Sequence, residues 1–116
     1  MDAEELKKRT KQFAIDVGKL TILLDRNDLN RNYSNQIIRS SSSVAANYRA
    51  VRRAKSTADF INKLKIVEEE LDESLLFLEL LYEFNPVHKE TIITIFKQGE
   101  ELLKIIVATL NSSRRT

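Results

Sequence analysis

The chain has 116 residues and a net charge of +2, enough for one domain with a single modest core. Its two glycines and one proline are typical of helical proteins and argue against turn-rich β folds. Because it contains no cysteine, disulfides, cysteine zinc sites and thiol nucleophiles are excluded. The N-terminus opens acidic, and no apolar run approaches the roughly 18 residues of a membrane span. We therefore expect a cytoplasmic protein without a signal region or membrane segment.

Two adjacent blocks of opposite charge lie behind the small net charge. Residues 31–65 hold eight basic side chains and one acid, whereas residues 66–90 hold eight acids and one base. Blocks of this kind usually pair with each other, and only the charge left over needs a partner.

Apolar residues recur at spacings of three, four or seven along the start of the chain and predict a first helix over about residues 3–25. A polar break, residues 25–30, follows it. A second helix is predicted over about residues 31–54. It contains four consecutive serines, residues 40–43, which are poor helix formers. We interpret them as small residues that allow another helix to approach closely.

The third helix is predicted over about residues 57–84, with Ser56 as its N-cap and Asp59 completing a variant of the capping box. Pro86 ends it, because proline disfavours helix in the preceding residue and lacks a backbone donor. A fourth helix is predicted over about residues 88–111, followed by a frayed tail at 112–116. Four amphipathic helices with short connections predict an all-α, antiparallel, up-down-up-down four-helix bundle that forms one domain over residues 1–116.

An ion pair is predicted across the hairpin of the second and third helices. The hairpin turns near residues 54–55, so the numbers of facing residues sum to about 110. Arg39 then lies opposite the acidic cluster, and we expect it to pair there and fix the helix register. The predicted carboxylate partners are Glu70, Asp72 and Glu73. We interpret the rest of residues 68–73 as a solvated acidic face.

A basic cluster near the hairpin turn is the best candidate for binding phosphates. Its predicted residues are Arg49, Arg52, Arg53, Lys55, Lys63 and Lys65. The alternative is a basic tip that only improves solubility. Tyr48 could stack on a base, but its position on the apolar stripe of the second helix favours the core. No recognition-helix or RNA-binding motif predicts sequence-specific contacts.

The end of the third helix, residues 75–84, is apolar nearly all round. A helix in a four-helix monomer buries one stripe, so a second apolar stripe indicates a protein interface. We expect Phe77, Leu80 and Phe84 to lie in or near a contact between copies of the chain. Alternatively, the loop after the first helix, or an offset fourth helix, covers them.

The residues give little support to catalysis. His88 is the only histidine, and the Glu-x-x-His motifs of di-iron bundles are missing. There is no HExxH motif, P-loop or glycine-rich dinucleotide turn. We therefore expect no enzyme activity, no catalytic residue, no metal and no cofactor. The alternative is a metal-dependent enzyme that uses Glu69, Glu70, Asp72 and Glu73.

Several segments, in this order and spacing, resemble one bacterial family over about residues 9–110. They are Phe13-Ala14 with Val17 and Leu20; residues 36–40; Ser43-Val44-Ala45-Ala46-Asn47-Tyr48-Arg49-Ala50; residues 56–60 with Lys63-Leu64; and residues 70–73 leading to 78–81. The family consists of small four-helix-bundle proteins encoded by intervening sequences within 23S rRNA genes. Many of its members have a glycine where Ala45 stands. Some have an acidic residue soon after the position of Asn47, where Arg49, Arg52 and Arg53 make this chain more basic.

The resemblance implies an antiparallel bundle that assembles into a ring-like homopentamer. A related protein, the accessory variability determinant of diversity-generating retroelements, binds nucleic acid and a reverse transcriptase through a basic surface. We therefore expect a non-enzymatic oligomeric scaffold that binds RNA or DNA weakly and without sequence preference, or that assists a reverse transcriptase or another nucleic-acid-handling protein. The alternative function is a pure protein–protein interaction module.

Overall fold

The computed structural model describes residues 1–114 and consists of four long helices. They are α1 (Ala3–Leu23), α2 (Asp28–Val51), α3 (Thr57–Phe84) and α4 (Lys89–Arg114). A short 3-10 turn, Pro86–His88, precedes α4, and the described part of the chain contains no strand. The predicted all-α, antiparallel four-helix bundle is confirmed.

Three helices differ from the prediction at their ends. Helix α1 ends at Leu23, and α2 begins at Asp28 because the Asn27 side chain caps it, accepting a 2.7 Å hydrogen bond from the backbone N–H of Asn30. Helix α2 ends at Val51, because the chain then forms a turn in which the N–H of Ala54 donates to the carbonyl three residues earlier, that of Val51. Helix α4 begins at Lys89 and includes residues 112–114, which were predicted to fray. The other two residues of the predicted tail, 115–116, lie outside the described residues.

Helix α3 has the predicted bounds and the predicted cap. The Ser56 hydroxyl accepts a 3.1 Å hydrogen bond from the N–H of Asp59. The Asp59 carboxylate accepts a 3.0 Å hydrogen bond from the N–H of Lys55, one residue earlier than a capping box requires. The turn between α2 and α3 is thus fixed at both ends, by the backbone hydrogen bond from Ala54 to Val51 and by the side chains of Ser56 and Asp59.

Each helix packs against two neighbours, so that α1 contacts α2 and α4, and α3 contacts α2 and α4. Within residues 1–114, α1 and α3 do not contact each other and lie on a diagonal of the bundle. The result is a rod of 47 × 20 × 20 Å. We call its two ends the α2/α3 end, at residues 52–56, and the α3/α4 end, at residues 24–27 and 85–88.

The core runs the length of the rod and includes small residues where helices approach closely. Ser40 and Ser74 are fully buried between α2 and α3, and their hydroxyl oxygens lie 2.8 Å apart in a hydrogen bond. Of the four serines interpreted as small contact residues, Ser40 and Ser41 are buried, whereas Ser42 is exposed. No helix in the described part of the chain is long and apolar enough to cross a membrane.

Candidate nucleic-acid interface and subunit contacts

An ion-pair cluster joins α2 to α3 near the middle of the rod. The Arg39 guanidinium contacts the Glu73 carboxylate, and its Nη1 lies 3.4 Å from Oε2 of Glu70. Asp72 is exposed on another side of α3, where it lines a shallow groove with Leu103 of α4. The structure therefore brings Arg39, Glu70 and Glu73 together but does not include Asp72.

We predict that Arg39→Ala lowers the free energy of unfolding by about 1 kcal/mol or less, as is usual for exposed ion pairs. The Arg39 side chain is 52% exposed and that of Glu70 is 20% exposed. Urea denaturation measures the loss. Arg9→Ala is a matched control, since Arg9 forms a similar ion pair, 2.9 Å long, with Glu101. A loss of about 3 kcal/mol or more for Arg39→Ala alone would show that it leaves a buried charge unpaired.

The four carboxylates considered for a metal site do not converge. Glu70 and Glu73 face Arg39 of α2, whereas Glu69 and Asp72 line the groove beside α4. Residues 1–114 contain no group of three or more histidine, aspartate and glutamate side chains placed to hold a metal ion.

The six predicted phosphate-binding residues do not share one face. Arg49, Arg52 and Arg53 are exposed at the end of α2, and Lys55 is exposed in the turn that follows. Lys63 and Lys65, two positions apart on α3, point about 200° apart around the helix. Lys65 therefore lies on a different side of α3 from Lys63.

Lys63 is already paired within the chain. Its ammonium donates a 2.7 Å hydrogen bond to the Asp59 carboxylate. This bond, helped by the N–H of Lys55, holds the pKa of Asp59 below its ordinary value of 3.8. The contact therefore stabilises the fold above pH 3.8 and is lost as the pH falls through the lowered pKa. Of the six predicted residues, five are exposed and form no ion pair with any described residue, namely Arg49, Arg52, Arg53, Lys55 and Lys65. The first four are close together in the chain, at the α2/α3 end.

Tyr48 belongs to the core and is not available to stack on a base. Its side chain is buried, and this burial raises its pKa above the ordinary value of 10.0, although the nearby Arg52 guanidinium opposes the change. The negative charges of Asp2 and Glu4 also raise the pKa of Tyr48, so the acidic start of α1 lies on the same side of the bundle as Tyr48.

The rod is polarised in charge along its length. With each helix divided at its midpoint, the α2/α3 half comprises residues 1–12, 40–70 and 102–114. This half holds twelve basic and seven acidic side chains, whereas the other half of the described chain holds six basic and ten acidic ones. The positive half of the rod therefore includes the α2/α3 end, where Arg49, Arg52, Arg53 and Lys55 lie.

The second apolar stripe of α3 is partly covered from within the subunit. Phe77 is half-buried beside Tyr33 of α2, with ring centroids 6.1 Å apart, and Tyr33 also lies 6.2 Å from Phe84. Phe84 is nevertheless 53% exposed, Leu76 is exposed, and Leu80 is half-buried. Tyr33 thus shields Phe77, and Leu76, Leu80 and Phe84 remain as the apolar side chains on the outward side of α3.

A buried pair of asparagines joins the start of α2 to the end of α3 at the α3/α4 end of the rod. Asn30 and Asn85 exchange two side-chain hydrogen bonds of 3.0 and 2.9 Å. The Asn30 amide also donates to the carbonyl of Asp25, and the Asn85 amide donates to that of Leu81. This pair cannot be predicted from the sequence, because no spacing or motif relates the first turn of helix α2 to the residue that ends α3.

The fold and surfaces define a charge-polarised four-helix bundle with an apolar outward face. The family model for the 23S rRNA-intervening sequence protein matches residues 4–108, and the chain belongs to that family. The chain is also similar to the crystal structure of a protein with unknown function from the S23 ribosomal protein family of Bacteroides thetaiotaomicron. The two are 32% identical, with a TM-score of 0.82 over 90% of this chain and 97% of the other. Among curated proteins, none matches the chain.

Proposed function

We propose that this protein is a non-enzymatic, oligomeric scaffold that binds RNA or DNA weakly and without sequence preference at its α2/α3 end. The observation that carries the proposal is the group of four exposed cations, Arg49, Arg52, Arg53 and Lys55, without ion pairs to the described residues. Cations of this kind neutralise phosphates and release condensed counterions, which drives binding irrespective of sequence.

The assembly part of the proposal is supported by the outward face of α3. An apolar face that includes Leu76, Leu80 and Phe84 is typical of a surface that contacts another protein. The resemblance to ring-forming relatives supports a homopentamer. A ring would repeat the small cation group in every subunit, so weak single contacts would add up through avidity. A reverse transcriptase or another nucleic-acid-handling protein is a further proposed partner.

Reversing three charges at the α2/α3 end is expected to abolish binding. The triple variant Arg49→Glu, Arg52→Glu and Arg53→Glu should lose the mobility shift that the wild type gives with RNA or DNA at low salt. For the wild type on duplex DNA, affinity should fall with salt at a log–log slope of roughly −0.9 per neutralised phosphate. Because the family to which the chain belongs is named for intervening sequences in 23S rRNA, RNA should be tested beside DNA.

A triple variant at the other half of the rod provides the control. Arg26→Glu, Lys89→Glu and Lys97→Glu change the net charge by the same amount and should retain binding. Circular dichroism and light scattering check that both variants keep the fold and the assembly. If the wild type gives no shift at low salt, or both variants lose it equally, the α2/α3 end is not the binding site.

A pure protein–protein interaction module is the second candidate function. It is favoured by the exposure of Phe84, an aromatic side chain of the kind that anchors protein interfaces. If the wild-type protein is oligomeric but does not bind nucleic acid, the protein–protein interaction function is favoured over the nucleic-acid-binding one.

A further inference from the structure

Helix α1 carries a stripe of basic and apolar side chains on the face directed away from the core. The stripe consists of Lys8, Lys11, Ile15, Lys19 and Ile22. The spacings of three and four residues place these side chains on one side of the helix. All five are exposed, and Ile22 is 84% exposed. The three lysines form no ion pair with any residue in 1–114.

Helix α3 carries an outward stripe of acidic and apolar side chains with the same spacing. It consists of Glu69, Asp72, Leu76, Leu80 and Glu83, each of which is 61 positions after its counterpart in α1. Its three carboxylates are exposed and, like the lysines of α1, have no ion-pair partner among the described side chains. Acidic residues stand where α1 has Lys8 and Lys11, and Leu76 stands where α1 has Ile15.

The two stripes also lie at the same heights along the rod. A Cβ added at Gly99 of α4 would touch both Phe13 of α1 and Leu75 of α3, two residues 62 positions apart. At the α3/α4 end, Asn30 bonds to the carbonyl of Asp25 and to Asn85, which are 60 positions apart. The difference of 61 between the stripes falls between these two values. Lys8 is thus level with Glu69, and Ile15 is level with Leu76.

From these observations we infer that α1 of one copy packs in parallel against α3 of the next copy, a contact that rests on the proposed oligomeric scaffold. Lys8 and Lys11 then face Glu69 and Asp72, and Ile15 packs on Leu76. Towards the α3/α4 end, Ile22 packs beside Leu80, and Lys19 lies one turn from Glu83. Opposite charges or apolar groups are matched directly at three of the five positions, and at the other two the matching group lies one turn away. This is the complementarity that sets orientation and register at helix interfaces.

The geometry of this contact favours a closed ring. Because α1 and α3 are diagonal in the bundle, each copy offers both stripes at once, so the contact is heterologous and extends from copy to copy. Because the two stripes lie at the same height, neighbouring copies need not be displaced along the rod. A rotation about an axis parallel to the rod relates them, as in a closed ring. The α3 stripe is also turned towards α4, where Glu69 and Asp72 share a groove with Leu103. In such a ring, all the basic α2/α3 ends lie on one side.

A disulfide test is available because the chain contains no cysteine. Under mild oxidation, Ile15→Cys/Leu76→Cys should produce a ladder of covalent oligomers beyond the dimer, since its two cysteines lie on different sides of one subunit. Each single variant has one cysteine, which faces no other cysteine in this contact, so it should form at most a dimer and no ladder. Ile22→Cys/Ile66→Cys provides the control, because these positions are displaced by about 26 Å along the rod and should produce no ladder.

Charge exchange supplies an independent test. Lys8→Glu/Lys11→Glu and Glu69→Lys/Asp72→Lys should each shift the mass in light scattering from the oligomer towards the 13.4 kDa monomer. The four changes combined in one chain should restore the oligomer, because the charges are complementary again. Arg26→Glu/Lys97→Glu changes the net charge as much as the first variant does and should leave the mass unchanged.

The outcomes separate this contact from the proposed function. A monomeric wild type at micromolar concentration would overturn both the scaffold and the α1–α3 contact. If the wild type is oligomeric but Ile15→Cys/Leu76→Cys forms no ladder, or if the oligomer mass survives both charge reversals, the α1–α3 contact alone is overturned and the scaffold stands.

Discussion

Replacing Gly99 by leucine is expected to lower the free energy of unfolding by about 3 kcal/mol, the upper end of the usual cost of overpacking a core. A Cβ at this position would lie 2.9 Å from Cδ2 of Leu75 and 2.9 Å from Cε1 of Phe13. The remaining side-chain atoms of a leucine have no space between these two groups, so α1, α3 and α4 would have to separate. Urea denaturation followed by circular dichroism measures the loss.

The second glycine of the chain is the natural control. Gly18 also lies in a helix, but a Cβ added there meets no atom within 4 Å. Gly18→Ala should therefore raise the free energy of unfolding by about 0.5–1 kcal/mol, because alanine loses less backbone entropy in a helix than glycine does. Phe13→Ala should reduce the cost of Gly99→Leu by making room. If the Gly99→Leu variant is as stable as the wild type, then α1, α3 and α4 do not meet closely at this point.

The sequence predicts helix ends well only where the stop and start signals are unambiguous. Ser56 and Pro86 bracket α3, and its bounds are as predicted. Between α1 and α2, by contrast, aspartate and asparagine occur repeatedly over residues 25–30, and each is a good N-cap. Which of them caps α2 depends on tertiary contacts, including the burial of Asn30, so the start of α2 was placed three residues too late.

The rule that facing residues of the α2/α3 hairpin have numbers summing to about 110 predicts the position of a residue along the rod, but not the side of the helix on which it lies. It placed Arg39 at the height of the acidic cluster, where the structure has its contacts with Glu70 and Glu73. It could not exclude Asp72, because successive residues in a helix point about 100° apart. The same limitation separates Lys63 from Lys65, which are close in sequence but lie on different sides of α3. A cluster of charges in a sequence is therefore not yet a patch on a surface.

Side-chain contacts between residues far apart in the sequence could not be predicted. Asn30 and Asn85 are 55 positions apart, and neither belongs to a periodic apolar stripe. Buried polar pairs of this kind depend on how the two turns meet at the end of the bundle. The shielding of Phe77 by Tyr33 has the same origin, since it depends on the rotation of α2 against α3.

Replacing Asn30 by leucine is expected to lower the free energy of unfolding by about 2–3 kcal/mol, because it leaves the Asn85 side chain buried without its main partner. Asn30 is 3% exposed and Asn85 is 7% exposed, so water cannot readily replace the lost hydrogen bonds. Asn85→Leu should cost a similar amount for the same reason. Asn35→Leu, at an exposed position of α2, is the control and should change stability by no more than about 0.5 kcal/mol.

The double variant Asn30→Leu/Asn85→Leu tests whether the two amides act as a pair. Once both are apolar, neither leaves the other buried and unsatisfied, so the double variant should lose clearly less than the sum of the two single losses. The carbonyls of Asp25 and Leu81 lose their side-chain donors in either case, so some loss should remain. Strictly additive losses in urea denaturation would show that the two turns are held independently, and that the reciprocal hydrogen bonds do not join them.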